Sequence, residues 1–343
     1  MSGGQSILSY NIHRILSSRM DAILIPFAGH SLLINRGHFW LKTPVWMTVL
    51  TKQMFIHRPN VVFAPHPYQA LFLVVGRRVR MFKTKLIYHF AGFGEQSTLA
   101  RRTLETFLLR EADGIVTVDE PLALDYARHF CRFSIPGGNL VDTDYFKLDD
   151  NEYRNTRGSL GIEGRFVIGM VGPFDANYNG PALEWLRRTI DSFPEDFLFL
   201  LIGSYNSSDF IDSKKVMFAG KALSDNYRRL LTAMDCLLAI RFVDTPGTSN
   251  KILEAMSMKK PVVALQSMHV PTGARDGQHL FTTTISGVPD ILTKLASDPA
   301  LRKKVGGNGR VLVEHTNSLR SFEGRIQWLF DSAQPNHRES MEF

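Results

Sequence analysis

The sequence predicts an α/β protein of two doubly wound domains, each a parallel sheet between helices. Three observations carry this. Short apolar runs such as Val61–Ala64, Phe197–Ile202 and Val262–Leu265 have the continuous hydrophobicity of strands buried on both faces. Helical segments alternate with these runs, as crossover connections in parallel sheets require. The 343 residues, 44% of them hydrophobic, suffice for two cores of about 150 residues each. The expected division is 1–150, 151–322, and a final helix and tail at 323–343.

The first half opens on a glycine-containing loop, Met1–Ser6, followed by an apolar-periodic helix at Ile7–Leu16 and a strand at Asp21–Pro26. An α/β domain places a strand before such a loop, so the first domain is expected to lack its first strand. Phe39–Phe55 carries Trp40, Trp46, Lys42 and Lys52 on an apolar segment, which predicts an interfacial helix interrupted by Pro44. Val61–Ala64 is a strand, with His66, Tyr68 and Gln69 in the loop after it. Leu71–Leu86 turns from apolar to basic, as a membrane-surface element does, or a core helix with a solvated basic end. Leu86–Gly94 reads as a strand ending at His89 and a glycine loop, and Ala112–Asp119 as the next strand. Ile135–Phe146 has glycines and an asparagine suited to positive-φ turns, and the polar Asp149–Gly164 reads as a linker.

In the second half, Phe166–Gly172 is a buried strand leading through a loop to a helix at Pro181–Phe193. Strands at Phe197–Gly203 and Val216–Lys221 and a helix at Tyr227–Met234 follow. The stretch Cys236–Leu265 is then strand, loop, helix, strand. Asp244, Pro246 and Gly247 break the first strand, Thr248 or Ser249 caps a helix over Asn250–Met258, and Pro261 closes it. Helices at Pro289–Ala296, Pro299–Val313 and 321–331 complete the chain, with a disordered tail from Ala333.

A helix beginning just past a strand's carboxyl end aims backbone N–H groups into the crevice where open α/β sheets bind ligands. Asn250, Lys251 and Glu254 share one face of the predicted helix by their spacing. A cation at the helix start suits a diphosphate, and a carboxylate one turn later suits the adjacent hydroxyls of a ribose. A solvated Lys–Glu pair on an ordinary crossover helix explains the same residues.

Gly247-Thr-Ser-Asn-Lys-Ile-Leu-Glu-Ala-Met-Ser-Met-Lys-Lys-Pro-Val-Val263 resembles the donor-binding segment of family 4 (group 1) glycosyltransferases of the GT-B fold. Ile135–Phe146 is similar to that family's IPNGVDTDYF segment, and Asp276–Phe281 to its DGxNGLLF loop. The resemblance implies two Rossmann-like domains facing across a cleft. It implies metal-independent transfer of a sugar from a nucleotide diphosphate to an acceptor hydroxyl, with retention at the anomeric carbon, and no bound cofactor. Glu254 would hold the ribose. Lys251, Arg241 and the backbone of Gly172, Gly247, Thr248, Ser249 and Asn250 would hold the diphosphate. His89, His66 and the Gly3–Gly4 loop would face the sugar and acceptor. Many members carry a second glutamate eight positions before the first, where this chain has Pro246, as in a Gly-Thr-x-x-Lys variant of the loop. The family's Arg and Lys after the second domain's first strand are also absent; Pro173 and the Asn177–Asn179 run stand there. A non-catalytic membrane-associated protein on this fold and a nucleotide-sugar epimerase are the alternatives.

Charge is uneven. The net charge is +7, yet residues 1–102 hold 13 Lys and Arg against Asp21 and Glu95, giving this part +11. Such a basic part implies an anionic partner, and the tryptophan-bearing segment favours a membrane surface contacted through 39–86 and a lipid-linked or polysaccharide acceptor. No nucleic-acid-binding module accompanies the charge, so a nucleic-acid partner is not expected. Cys131 and Cys236 are the two cysteines, too few for a disulfide framework. No apolar run reaches the roughly 18 residues of a spanning helix, and no Asp-x-Asp or His cluster marks a metal. A cytoplasmic protein, peripheral on the inner membrane face, is the expectation.

Overall fold

The computed structural model describes residues 12, 17, 39–92, 98–118, 121–131, 133–174, 179–206, 211–242 and 247–333. The expected helix at 7–16, the strand at 21–26, Gly3, Gly4, Pro246 and the tail from 334 lie outside the described residues, apart from residue 12. The chain divides into two units, Met1–Leu140 with Leu319–Phe343, and Val141–Ser318. The anticipated breaks at 150/151 and 322/323 fall ten and four residues later than these.

The first unit contains α1 (Phe39–His57), β1 (Val61–Ala64), α2 (Pro67–Arg78), β2 (Lys85–Phe90), α3 (Leu99–Glu111), β3 (Gly114–Thr117), α4 (Pro121–Arg128), β4 (Ser134–Pro136) and α11 (Leu319–Ala333). Its strands are parallel in the order β1-β2-β3-β4. One sheet face is covered by Leu50, Met54, Leu73, Val74, Leu108 and Leu109 from α1 to α3, the other by Phe322, Ile326, Leu329 and Phe330 of α11. Two expectations are corrected here. Pro44 does not interrupt α1, which runs from Phe39 through it to His57 despite the N–H bond that a proline there cannot donate. Leu71–Leu86 is not one basic amphipathic stretch but the end of α2, a turn and the start of β2. Tyr68 and Gln69 belong to α2 rather than to a loop, with Pro67 at its first position. Several of the basic side chains serve the fold. Arg77 and Lys85 both pair with Asp113, at 2.9 and 3.1 Å, and Arg78 pairs with Glu111 at 2.6 Å.

The second unit contains α5 (Asp150–Leu160), β5 (Phe166–Val171), α6 (Gly180–Thr189), β6 (Phe197–Ile202), β7 (Val216–Gly220), α7 (Ser224–Ala233), β8 (Cys236–Ala239), α8 (Asn250–Ser257), β9 (Val262–Leu265), β10 (Phe281–Thr283), α9 (Val288–Ser297) and α10 (Pro299–Thr316). All its strands are parallel, in the order β10-β9-β8-β5-β6-β7. Helices α6 and α9 cover one face, α7 and α8 the other, the doubly wound arrangement expected. The linker expected at Asp149–Gly164 is instead a capped helix. Asp149 accepts N–H bonds from Asn151 and Glu152, Gly161 ends α5 at φ +64°, and Arg157 is buried against Asp235 at 3.0 Å.

Candidate active site in the second unit

From β5 the sheet grows in both directions, through β6 and β7 on one side and through β8, β9 and β10 on the other. The crevice between the carboxyl ends of β5 and β8 is therefore the switch point of the sheet, where open α/β domains bind ligands. A small cleft, open on one side to solvent, lies there. It is lined by Met170 and Val171 of β5, Asn179 and Ala182 at the start of α6, Leu238 to Arg241 at the end of β8, Lys251 of α8, and Met268.

Lys251 is the group most affected by this setting. Its ammonium donates to the carbonyl of Val171, the last residue of β5. Burial and the nearby Arg241 guanidinium push its pKa down from the usual lysine range to about 8, against a weaker upward pull from Glu254. Two cations held together at a crevice, one of them desolvated, create a fixed positive potential suited to an anion.

Backbone geometry adds to this. Gly172 follows β5 directly, and a Cβ there would lie 2.7 Å from both the Asn179 amide nitrogen and the Lys251 ammonium. The two polar side-chain ends therefore converge over the backbone of Gly172, in space that a larger residue would contest. Gly247, at φ +81°, turns the chain into α8. Ser249 takes the N-cap position, but its hydroxyl makes no capping bond, contrary to the expected role. The N–H groups of the first turn therefore gain nothing from the cap side chain, which suits a ligand at that end. Asn250 presents a buried Oδ1 with no hydrogen-bond partner among the described residues, and Thr248 is fully buried.

One turn along α8, Glu254 is half-buried and accepts a 2.6 Å hydrogen bond from the Tyr227 hydroxyl of α7. Burial raises its pKa, opposed by that bond and by Lys251. Burial and then the Glu254 charge raise the pKa of Tyr227 well above the phenol range. The structure places Gly172, Arg241, Thr248, Lys251 and Glu254, the residues expected on the donor side, in the same unit. It adds Tyr227 and Asn179, which sequence reasoning missed. Asn179 had a signal, since its Asn-rich run stands where the resembling family carries cations. Tyr227 had none, because its bond to Glu254 spans 27 residues through β8 and a loop.

His89 and His66 belong to the first unit. His89 is the fifth residue of β2 and 5% exposed, inside the strand rather than beyond it. Its ring donates to the carbonyl of Pro65, and burial lowers its pKa to about 4, so it is neutral at pH 7. His66 sits one residue after Pro65 at the N-cap of α2, stacked on Tyr68 with ring centroids 5.3 Å apart. The two histidines therefore share the carboxyl edge of β1 and β2. Among the described residues, no group of three or more His, Cys, Asp or Glu side chains could hold a metal ion.

Residues 165–320, which take in the second unit from just before β5 to its end, match the family model described as Glycosyl transferases group 1. The second unit is a group 1 glycosyl transferase domain. The chain is also 23% identical, over 210 residues, to the capsular polysaccharide biosynthesis glycosyltransferase CapM of Staphylococcus aureus. That match covers 55% of this chain and 50% of CapM, so the chain spans about half the length of that relative. A glycosyltransferase of Rickettsia africae superposes at a TM-score of 0.74 and 13% identity, covering 98% of this chain and 96% of that one. HepE of Anabaena, solved in complex with UDP, superposes at 0.71 and 15% identity, covering 83% and 82%. At such identities the likeness establishes the fold, which is GT-B: two parallel-sheet α/β units, the second carrying the glycosyl transferase domain's cleft at its switch point.

Proposed function

We propose that this chain is a glycosyltransferase that moves a sugar from a nucleotide diphosphate, with UDP favoured, to an acceptor hydroxyl. The observation that carries the reading is the convergence of Arg241, Lys251 and the uncapped start of α8 on one crevice. Departure of a nucleoside diphosphate from a sugar develops negative charge at the phosphates, and pre-positioned cations and N–H groups lower that barrier. In this reading Lys251 leaves the Val171 carbonyl for the diphosphate, with Arg241 as second cation and Asn250 beside them. Glu254 accepts from the ribose hydroxyls. The charge is supplied by side chains, so the reaction needs no metal. Retention at the anomeric carbon follows from the family resemblance, and His89 and His66 are assigned to the acceptor side as neutral hydrogen-bonding groups. HepE's complex with UDP supports the donor class, and CapM's place in capsular polysaccharide biosynthesis supports an acceptor in polysaccharide assembly.

An anionic membrane surface is the second partner in this reading. Phe55, Ile56, Val79 and Met81 are exposed, and Phe55 meets Phe82 at 5.8 Å, which brings the end of α1 beside the turn after α2. Lys52, Arg58, Arg80 and Lys83 are exposed around them and form no ion pair among the described residues. Apolar side chains ringed by cations are the surface chemistry that anionic bilayers attract. No helix among the described residues is long and apolar enough to cross a membrane.

Calorimetry with UDP, GDP and ADP, followed by hydrolysis assays on the matching sugar nucleotides, tests the activity. Saturable binding of one nucleotide and slow release of its sugar are expected. Absence of binding by all three would remove the reading. NMR of the anomeric proton in the transfer product decides retention against inversion.

A further inference from the structure

We propose that Tyr227 is a positioning residue for the donor's nucleoside, fixing the Glu254 carboxylate in the plane that receives the ribose. This rests on the reading of Glu254 given above. The Tyr227 hydroxyl donates to Oε2 of Glu254 at 2.6 Å, across from α7 to α8. A carboxylate on a free side chain samples many orientations, and a strong charge-assisted bond to one oxygen removes that freedom in advance of binding. The second oxygen, Oε1, is left as the better-placed acceptor for a hydroxyl.

Tyr227 is itself held. The Phe146 ring meets it edge-on at 6.4 Å and 81°. Phe146 is anchored through its carbonyl, which accepts from the Ser257 hydroxyl at 2.9 Å and from the Arg310 guanidinium at 3.0 Å. Arg310 also reaches the Thr143 carbonyl at 2.8 Å, and the Tyr145 hydroxyl donates to Asp225 in the first turn of α7 at 2.8 Å. The Asp142–Phe146 segment thus braces α7 at the turn that carries Tyr227. Its place in the fold gives this part of the Ile135–Phe146 motif a task in the donor site rather than a turn alone.

The test uses the full chain and two ligands, UDP and 2′,3′-dideoxy-UDP, which lacks the hydroxyls that Glu254 would accept. Wild type should prefer UDP by about tenfold, the discrimination of one well-made hydrogen bond to a charged acceptor. Tyr227→Phe keeps the ring against Phe146 and removes the bond. It should weaken UDP several-fold, leave dideoxy-UDP unchanged and shrink the preference towards unity. Phe146→Leu, which loosens the brace, should shift the preference in the same direction and less far. Equal weakening of both ligands by Tyr227→Phe, or an unchanged preference, overturns the proposal. Glu254→Ala, which removes the acceptor altogether, separates the two failures. If it abolishes the preference while Tyr227→Phe does not, the ribose assignment stands and the positioning role falls. If Glu254→Ala also leaves the preference intact, or if the wild type shows none, the ribose assignment falls and takes the proposal with it.

Discussion

Lys251 is held in an environment that disfavours its charge until an anion arrives. Desolvation and Arg241 lower its pKa to about 8, so the free site loses its ammonium as pH rises through that value. A diphosphate favours the protonated form, and UDP affinity should therefore fall about tenfold per pH unit above 8. Calorimetry between pH 7 and 10 should show this limb in wild type and not in Lys251→Arg, whose guanidinium stays charged. Lys251→Ala should lower turnover by roughly 10²–10³ while leaving the thermal midpoint unchanged or higher, since it removes a desolvated charge. His89 makes the opposite demand at acid pH. It is neutral when folded, with a pKa of about 4 against 6.5 for the free side chain. The unfolded chain therefore binds the extra proton between those values, and stability is lost as pH falls from 6.5 to 4, by on the order of 3 kcal/mol. Urea denaturation across that window should be flatter for His89→Asn than for wild type. Both shifts depend on burial, which residue spacing does not encode. Spacing placed Asn250, Lys251 and Glu254 on one helix face, but it could not reveal that Lys251 bonds to Val171 or Glu254 to Tyr227.

Among the elements, the buried strands of the second unit were the most legible. Phe166–Val171, Phe197–Ile202 and Val262–Leu265 are unbroken apolar runs, and few structures other than a parallel strand bury such a run on both faces. Misreadings came where polarity was taken for irregular structure. Asp149–Gly164 is polar because only a narrow side of α5 is buried, and its buried residues are Thr156 and Arg157 rather than aliphatic ones. The cap was the overlooked signal. Asp149→Ala should destabilise the second unit by about 1 kcal/mol, read as a lower midpoint in thermal denaturation, whereas Asp150→Ala, just inside the helix, should cost less. Leu71–Leu86 was misread for a related reason. Its basic residues were taken as one solvated face, but Arg77 and Lys85 converge on Asp113, a residue nearly thirty positions or more away from each. Long-range pairing of that kind has no local periodicity to betray it.

For the whole molecule, the two-unit α/β architecture was readable from the alternation of strands and helices and from chain length. The membership of the last helix was read only in outline. Helix α11 belongs to the first unit, where Phe322, Ile326, Leu329 and Phe330 cover one face of the sheet with Ile87, Val116 and Ile135. Surface chemistry belongs at this level too. Flotation with anionic vesicles should carry the protein at low salt and lose it at high salt. Phe55→Ser with Ile56→Ser should weaken flotation with neutral changes in thermal midpoint, and salt-insensitive or absent binding would exclude the membrane surface.

The placement of α11 also sets an order of assembly. During synthesis the sheet β1 to β4 emerges early, yet the side chains that cover its second face are translated only after the entire second unit. Val141–Ser318 made alone should fold cooperatively, whereas residues 1–140 made alone should bind hydrophobic dyes and aggregate until a peptide spanning 319–333 is supplied. The half of the molecule that leaves the ribosome first is thus the half that waits longest for its core to close.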